Sequence, residues 1–254
     1  MLPFQQKLAI LHVFMDRPIQ IEKKDSWKLF DQIAGTYDRL NTLISFGIDR
    51  LWRQKMMQAI KVEGGRGTGL KALDLASGTG EVALLLAARE DVAHVYGIDL
   101  SQKMMDLAGL KASRLGLGKK LSFSLEDAGS PPYPDGHFDL ITLAFGIRNV
   151  QNVSHCLSHA HRLLKPKGQI LILEFGLPRT LFLQKLYLFY LRTILPAVGK
   201  ALSKHPFAYS YLNRTVESFP YGNEFEKLLI SHGFKSTYAK PFSFGVAYLY
   251  SGRK

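Results

Sequence analysis

Short apolar runs alternate with helical patterns through the middle of the chain. Five runs are apolar enough for buried strands: KALDLA (71–76), HVYGIDL (94–100), KLSFSLED (120–127), FDLITLAF (138–145) and GQILILEF (168–175). Three intervening segments space apolar residues three and four apart, as amphipathic helices do: EVALLLAARE (81–90), SQKMMDLAGLKASRLG (101–116) and SHCLSHAHRLLK (154–165). This alternation predicts an α/β fold with a doubly wound, mostly parallel sheet covered by helices on both faces.

Three further regions surround the alternating core, which spans residues 70–176. Residues 20–62 have a helical pattern and are expected to form an N-terminal helical cap. Residues 178–215 interrupt the alternation with an insert rich in leucine and aromatic residues. Residues 222–254 contain a helix and two alternating strands, so the sheet is predicted to have seven strands and an antiparallel C-terminal strand. The simplest organisation is a single domain over residues 1–254.

The charge of the chain is the unusual feature of its composition. The 254 residues carry a net charge of +12, which suits partners such as nucleic acid, anionic membrane or acidic ligands. The basic residues are dispersed, which weakens the case for nucleic acid. The single cysteine, Cys156, excludes a disulfide framework and indicates a reducing cytoplasm.

Targeting and membrane-spanning segments are not predicted. No run approaches the roughly 18 apolar residues of a membrane span. The stretch Leu8–Phe14 is short, contains His12 and makes a poor signal peptide. Met15 is an alternative start, which would place residues 1–14 outside the protein.

A glycine-containing turn follows the first strand. Ser77, Gly78, Thr79 and Gly80 precede the next helix, and glycines allow the backbone to approach a ligand closely. The spacing from Gly78 through Gly80 to Ala83 is within tolerance of a dinucleotide-binding fingerprint. The turn alone therefore fits NAD, S-adenosylmethionine or a tight turn that binds no ligand.

Acidic residues near the strand ends help to decide which ligand the turn binds. Asp74 lies within the first strand, where its carboxylate would repel a pyrophosphate but accept the cationic methionine end of S-adenosylmethionine. Asp99 ends the second strand and suits ribose hydroxyls in either ligand. Asp127 follows the third strand and is placed to accept from an adenine amino group, with the Ala128 N–H donating to a ring nitrogen. Together these positions favour a sulfonium nucleoside.

The ordered motifs resemble those of a known family. LDLASGTG, GIDLS, LEDA, PDGHFDLI and LLKPKGQILILEF resemble the class I S-adenosylmethionine-dependent methyltransferases over residues 70–176. FDQIAGTYDRLNTLISFGIDRLWR and FGIRNV narrow the resemblance to the menaquinone and ubiquinone biosynthesis C-methyltransferases, from about Trp27 to the end. The resemblance implies a Rossmann-like fold, S-adenosylmethionine as methyl donor and C-methylation of a polyprenylated naphthoquinol or benzoquinol. Another small-molecule C- or O-methyltransferase, or an RNA methyltransferase, remains an alternative.

The resemblance also implies cofactor contacts at Thr79, Asp99, Asp127 and Ala128. Three positions depart from the pattern of the family. Ala144 stands where some members have a serine, so that contact is not carried over. Lys167 replaces a glycine of the usual KPGG turn, on a surface loop where the change is expected to matter little. Ser77 replaces a glycine and is tolerated if its φ stays negative.

Methyl transfer to an aromatic carbon needs an ionised phenol, alignment and the exclusion of water, but no covalent nucleophile or metal. Arg148 and Asn149 follow the fourth strand at the ligand-binding edge and are the candidates for substrate contact. A guanidinium there would stabilise the phenolate and orient a water that takes the proton. Alternatively, Arg148 pairs with a structural acid such as Asp31 or Asp49. Tyr37 either closes over the cofactor or packs within the cap.

The insert has two interpretations. Residues 179–202 are predicted to be helical up to Leu195, and this helix either packs in the core or acts as a lid. As a lid, it would line an apolar channel for the isoprenoid tail and rest on anionic membrane, helped by the net charge. The expected partners are a lipophilic quinol and such a membrane, without nucleic acid, and a homodimer is left open. We expect a cytoplasmic protein, peripheral at the inner face of the cell membrane.

Overall fold

The structure is a computed structural model that describes residues 22–62, 69–197 and 206–254. The expectations for Leu8–Phe14 and for the start of the chain fall outside these residues. So do the first two positions of the predicted cap and residues 198–205 of the insert.

Seven strands of the described residues form one sheet in the order β3-β2-β1-β4-β5-β7-β6. The strands are β1 Leu70–Leu75, β2 Val92–Asp99, β3 Leu121–Leu125, β4 Phe138–Ala144, β5 Leu164–Phe175, β6 Lys235–Phe242 and β7 Ala247–Arg253. Strands β1 to β5 pair in parallel, whereas β7 runs antiparallel to both β5 and β6. The predicted doubly wound, mostly parallel sheet with an antiparallel C-terminal strand is confirmed.

Helices cover both faces of this sheet. They are α1 Ser26–Ile44, α2 Asp49–Gln58, α3 Glu81–Ala87, α4 Gln102–Arg114, α5 Val153–Leu163, α6 Leu181–Phe189, α7 Pro206–Ser218 and α8 Asn223–Ser231. Buried side chains such as Leu86 fill one face of the sheet and Leu157 the other, in two separate apolar clusters. The cost of burying both faces of the sheet at its centre is low because the buried runs 140–144 of β4 and 170–173 of β5 are apolar except for Thr142.

Strand β5 begins four residues earlier than the pattern predicts. Leu164 pairs with Phe138, and the register shifts before Gln169 resumes the pairing with Leu140. The intervening turn holds Lys167 at a φ of 65°. A lysine in this left-handed conformation is strained, so its position on a surface loop does not make it neutral. By contrast, Ser77 keeps a negative φ, as its tolerance requires.

The cap consists of α1 and α2, and α1 lies over the carboxyl ends of the central strands. The Asp31 carboxylate accepts from the Ser101 hydroxyl at 2.8 Å, just before α4. The Asp38 carboxylate accepts from the Thr79 hydroxyl at 2.6 Å, in the glycine turn. These two contacts connect α1 to the segments that follow β2 and β1.

The described part of the insert packs one side and exposes the other. Tyr187 on α6 and Leu191 on the π-helical turn Tyr190–Ile194 are buried. Phe182 is 75% exposed and Phe189 is 55% exposed. The segment therefore combines a core contact with an open apolar surface. In the described residues, no helix is long and apolar enough to cross a membrane.

Candidate active site

A cavity opens at the carboxyl ends of β1 and β4, where the winding of the sheet reverses direction. Open α/β sheets bind ligands at this point because the loops of the two central strands diverge there. Six of the residues predicted for the site line the cavity: Tyr37, Gly78, Asp99, Asp127, Ala128 and Asn149. Further lining residues, not found from the sequence, include Trp27, Phe30, Met104 and Phe145.

The two glycines of the turn have different functions. Gly78 has a φ of 57°, and its N–H donates to the Asp99 carboxylate at 2.9 Å. A Cβ on Gly78 would lie 3.7 Å from the Tyr37 ring, on the side that faces the cavity. A Cβ on Gly80 would instead lie 2.9 Å from that of Ala108 on α4. Gly80 is thus required for helix packing, and only Gly78 faces the ligand space.

Asp99 fixes the turn and still faces the cavity. Its carboxylate accepts from the backbone N–H groups of Gly78 and Ser101, each at 2.9 Å. Burial raises the pKa of Asp99, although these N–H groups favour the ionised form. A carboxylate has lone pairs left after two such bonds, so Asp99 is able to accept from ribose hydroxyls.

Asp127 combines a turn contact with a place in the cavity lining. Its carboxylate accepts from the Gly129 N–H at 2.7 Å, which closes a short turn after β3. The neighbouring Ala128 is buried in the same lining. The turn therefore holds both residues where the sequence places adenine contacts.

Asp74 on β1 and the turn residues Ser77 and Thr79 do not line the main cavity. Asp74 accepts from the Thr142 hydroxyl at 2.7 Å and from the Ser77 hydroxyl at 2.6 Å. Burial raises the pKa of Asp74 to about 6, against the opposing effect of these hydrogen bonds. All three side chains line a second, smaller cavity between the turn and the cap.

Arg148 is buried beside the main cavity and is ion-paired. One of its terminal nitrogens donates to both the Glu174 carboxylate and the Phe145 carbonyl, each at 2.6 Å. Arg148 is 3% exposed and Glu174 is fully buried. The partner is therefore neither of the acids suggested by the sequence, since Asp31 binds Lys103 and Asp49 binds Arg53.

Several buried polar atoms around Arg148 have no hydrogen-bond partner in the described residues. They are Arg148 Nε, Asn149 Oδ1 and the hydroxyls of Tyr187 and Tyr211. Burial raises the pKa of both tyrosines, and the positive charge of Arg148 acts in the opposite direction on each. Such atoms are uncommon in native proteins and indicate a bound group or water.

The residues that surround Arg148 differ in how far the sequence alone points to them. Glu174 is the one charged residue of the apolar run ILILEF, and that position alone marks it for attention. Tyr187 and Tyr211 both come from the insert, on α6 and α7, and no local pattern indicates that they approach Arg148.

The ends of β1 and β4 carry backbone strain where they approach each other. Ala76 has a φ of 48° and Phe145 a φ of 57°, both in the left-handed region that favours glycine. A Cβ on Gly146 would lie only 2.7 Å from that of Ala76. Strain of this kind concentrates at functional sites, and here it borders the main cavity.

The model of the ubiE/COQ5 methyltransferase family matches residues 19–254. The chain belongs to this family. It is 40% identical to the ubiquinone/menaquinone biosynthesis C-methyltransferase UbiE of Geobacter sulfurreducens, covering 89% of this chain and 87% of that protein. It is also 36% identical to the demethylmenaquinone methyltransferase of Bacteroides fragilis, over 89% of this chain and 91% of that protein.

The fold is shared with solved methyltransferases at low identity. A SAM-dependent methyltransferase of Thermotoga maritima superposes with a TM-score of 0.59 at 20% identity, over 90% of this chain and 99% of that one. The class I methyltransferase fold inferred from the sequence is thus confirmed, and so is the resemblance to the quinone-biosynthesis family.

The protein is an S-adenosylmethionine-dependent methyltransferase, and its main cavity fits that donor. Asp99 and Asp127 supply acceptors, and Gly78 leaves the wall of the cavity without a side chain. Leu100 and Met104 add apolar surface beside the acids, which suits the faces of a purine ring.

Proposed function

We propose that this enzyme methylates a ring carbon of a polyprenylated quinol in respiratory quinone biosynthesis. The substrate is demethylmenaquinol, 2-polyprenyl-6-methoxy-1,4-benzoquinol or both. The names of the relatives support this class of substrate. The structural observation that carries the proposal is the buried cation Arg148, with unpartnered donors around it, beside the donor cavity.

The cluster around Arg148 suits an ionising phenol. An N–H or O–H buried without a partner costs about 1–3 kcal/mol, so a substrate oxygen that accepts from it is stabilised. Arg148 Nε and the hydroxyls of Tyr187 and Tyr211 provide such donors. Glu174 holds the pKa of Arg148 above its usual value despite the opposing effect of burial, so the guanidinium stays charged as the phenolate forms.

The proposed roles follow from these positions. When bound, the donor supplies an activated methyl group for in-line transfer. Arg148 stabilises the phenolate and orients a water that passes the phenolic proton to solvent. Once the methyl group is on the ring carbon, the ring proton returns through the same water to the oxygen, which restores the aromatic quinol. Asn149 in the cavity lining positions the ring, and Tyr37 closes the cavity from α1. Burial raises the pKa of Tyr37, so its hydroxyl remains a donor.

An apolar surface beside α6 supports a lipophilic substrate and a membrane location. We call Phe46, Leu181, Phe182, Phe189 and Phe244 the apolar patch, because all are large, apolar and more than half exposed. The Phe46 ring contacts that of Tyr190, and the Phe244 carbonyl accepts from the Arg179 N–H. The patch and the net charge of +12 favour peripheral docking on anionic lipid at the cytoplasmic face.

Methyl transfer from labelled S-adenosylmethionine tests the proposal. The protein is assayed with a short-tail demethylmenaquinol, a short-tail methoxybenzoquinol and total RNA in parallel. We expect label in one or both quinols and none in RNA. Transfer to RNA with neither quinol labelled would reject the proposed substrate class.

A further inference from the structure

A third cavity lies at the amino ends of the central strands, on the opposite edge of the sheet from the candidate active site. It has a volume of about 240 Å³. The segment after α2, the start of β4, the turn within β5 and the end of β7 contribute its charged lining residues: Lys61, Asp139, Lys165, Lys167 and Arg253. We call this cavity the basic pocket, because all of these side chains except Asp139 are cations.

The acid of the basic pocket is already neutralised. The Asp139 carboxylate pairs with the Lys165 ammonium, with oxygen-to-nitrogen distances of 2.8 and 2.9 Å. By contrast, Lys61, Lys167 and Arg253 form no ion pair within the described residues. Like charges around one small cavity repel one another, so this arrangement favours an anion that the described residues do not supply.

Arg253 fixes the geometry of the basic pocket. Its two terminal nitrogens donate to the Lys167 carbonyl at 3.2 Å and to the Lys61 carbonyl at 3.0 Å. Arg253 therefore links the two segments that carry the lysines and adds a third cation at the same place. A guanidinium has about five N–H groups, so donors remain for a bound anion after these two bonds.

Lys167 is strained at its position in this pocket. Its φ of 65° lies in the left-handed region, where glycine is relaxed and a residue with a Cβ is not. The Lys167 side chain is exposed, so burial does not offset the strain. Backbone strain of this kind concentrates at functional sites. The ammonium group of Lys167 is what a glycine at this position would not supply, and the strain is thus a second observation that points to the pocket.

The size and charge of the basic pocket restrict its ligand. Pockets that enclose drug-sized molecules have volumes of about 300–1,000 Å³, so a volume of about 240 Å³ suits a more compact group. Lysine binds phosphate oxygens as a point charge, and arginine binds them through its planar fork of N–H groups. A phosphate monoester or a diphosphate carries two or more negative charges and therefore matches the three unpaired cations.

The position of the basic pocket favours a soluble ligand over a lipid headgroup. Strand β7 runs from Ala247, just after the patch residue Phe244, to Arg253 in the pocket. This strand spans about 20 Å, which is about twice the Debye length at physiological salt. When the apolar patch rests on a membrane, the pocket therefore lies beyond the reach of the lipid surface charge.

We propose that the basic pocket binds the phosphate monoester or diphosphate group of a soluble ligand, with Lys61, Lys167 and Arg253 around its oxygens. The site is separate from both cavities of the candidate active site, so it holds whichever acceptor the enzyme methylates. Only the choice of a soluble source rests on the proposed docking of the apolar patch.

Isothermal titration calorimetry of the full chain with inorganic pyrophosphate tests this site, with potassium chloride keeping the ionic strength constant. The double variant Lys61→Gln/Lys167→Gln removes two cations and keeps a Cβ at position 167, so the backbone strain is unchanged. It should bind pyrophosphate about tenfold more weakly or worse, because charge-assisted hydrogen bonds are lost. Lys167→Arg keeps the positive charge and should stay within about threefold of the wild type.

Lys227→Gln is the matched control. It removes the same charge from an exposed position on α8 outside the basic pocket, and the affinity should stay within about twofold of the wild type. Thermal unfolding without ligand checks the fold of each variant, and the single variants Lys61→Gln and Lys167→Gln replace the pair if the pair does not fold. Failure of the wild type to bind pyrophosphate, or equal affinity in the wild type and the double variant, would overturn the site.

Two further probes distinguish the sources of the phosphate. In flotation with phosphatidic acid vesicles, the double variant should bind within about twofold of the wild type. An RNA oligonucleotide should bind no more tightly than pyrophosphate. If the double variant lost its vesicle binding, or if it abolished RNA binding tighter than that of pyrophosphate, the pocket would belong to a lipid headgroup or to nucleic acid, and the proposal of a small soluble ligand would be wrong.

Discussion

At the scale of single residues, two buried acids of the same crevice have different functions. Asp99 reaches the main cavity and is held by two backbone N–H groups. Asp74 is held by two hydroxyls and lines the second, smaller cavity between the glycine turn and the cap. The sequence predicts that Asp74 repels a pyrophosphate and accepts the cationic methionine end of S-adenosylmethionine, and its position away from the main cavity is consistent with that prediction.

The raised pKa of Asp74 predicts that donor binding depends on pH. Burial raises this pKa to about 6, with a further contribution from the Asp99 charge, so the empty site is partly protonated in mild acid. Affinity for S-adenosylmethionine should rise about tenfold between about pH 5 and about pH 7.5, because only the carboxylate pairs with the ammonium. Isothermal titration calorimetry at several pH values within this range measures the affinity.

Asp74→Asn is the control for this pH dependence. This variant should bind S-adenosylmethionine more weakly than the wild type. Its affinity should depend much less on pH, and the remaining dependence should come from Asp99. In the empty protein, the raised pKa favours the fold below about pH 4, and that stabilisation is lost as the pH rises through about 6. A wild-type affinity that is flat over the same range would contradict the pairing of Asp74 with the methionine end of the donor that the sequence predicts.

The ion pair of Arg148 with Glu174 predicts a separable effect on turnover. Arg148→Met combined with Glu174→Gln removes the cation without leaving a buried carboxylate unpaired. We expect kcat to fall roughly 100-fold or more, since the phenolate loses its stabilising charge. Affinity for S-adenosylhomocysteine should change less than about twofold.

Glu174→Gln alone is the matched control. It removes the support of Glu174 for the Arg148 charge, but the ordinary pKa of a guanidinium lies far above neutral, so the cation and its bond to the Phe145 carbonyl remain. Steady-state kinetics on the quinol should place this variant within about tenfold of the wild type. If the double variant turned over as fast as Glu174→Gln, Arg148 would have no part in the chemistry.

At the scale of elements, the local sequence patterns correctly predicted the strands and the residues at their carboxyl ends. The strand ends place Gly78, Asp99, Asp127 and Ala128 at one edge because parallel strands present their carboxyl ends together. Glu174 and the insert tyrosine Tyr187 meet Arg148 only through packing of segments far apart in the chain. No periodicity or spacing in the sequence predicts these contacts of Arg148.

The boundary of β5 shows a second limit of local patterns. Its early start depends on the pairing of Leu164 with Phe138 and on a turn with an altered register. The left-handed φ of Lys167 is a consequence of this turn, and residue type alone indicated a neutral surface change.

Lys167 therefore gives a prediction about stability. Lys167→Gly should raise the free energy of unfolding by about 1 kcal/mol, because glycine adopts a positive φ without the strain of a side chain. Chemical denaturation measures the change. Lys167→Ala removes the same long side chain but keeps its Cβ, so the strain remains and this variant should not be stabilised. Equal effects of the two substitutions would contradict the strain argument.

At the scale of the whole molecule, the apolar patch and the basic charge act together. Phe182 and Phe189 expose their rings on the same helix whose other side is anchored in the core by Tyr187. A rigid apolar surface on a protein of net charge +12 suits an anionic membrane in which a polyprenylated substrate resides.

Vesicle flotation measures this docking. Phe182→Ser with Phe189→Ser should lower the fraction bound to phosphatidylglycerol vesicles by about tenfold or more, from the loss of buried apolar area. Leu110→Ser with Leu115→Ser removes two exposed leucines outside the patch and should have little effect. Binding of the wild type should weaken as salt is raised. If both variants lost the same fraction of vesicle binding, the apolar patch would have no specific part in membrane docking.

The position of the transferred methyl group tests the central claim most directly. The enzyme is incubated with deuterated-methyl S-adenosylmethionine and a short-tail demethylmenaquinol, and the product is analysed by mass spectrometry and NMR. We predict one labelled methyl group on a ring carbon. Label on a quinol oxygen, or no transfer to this substrate or to the benzoquinol, would contradict the account.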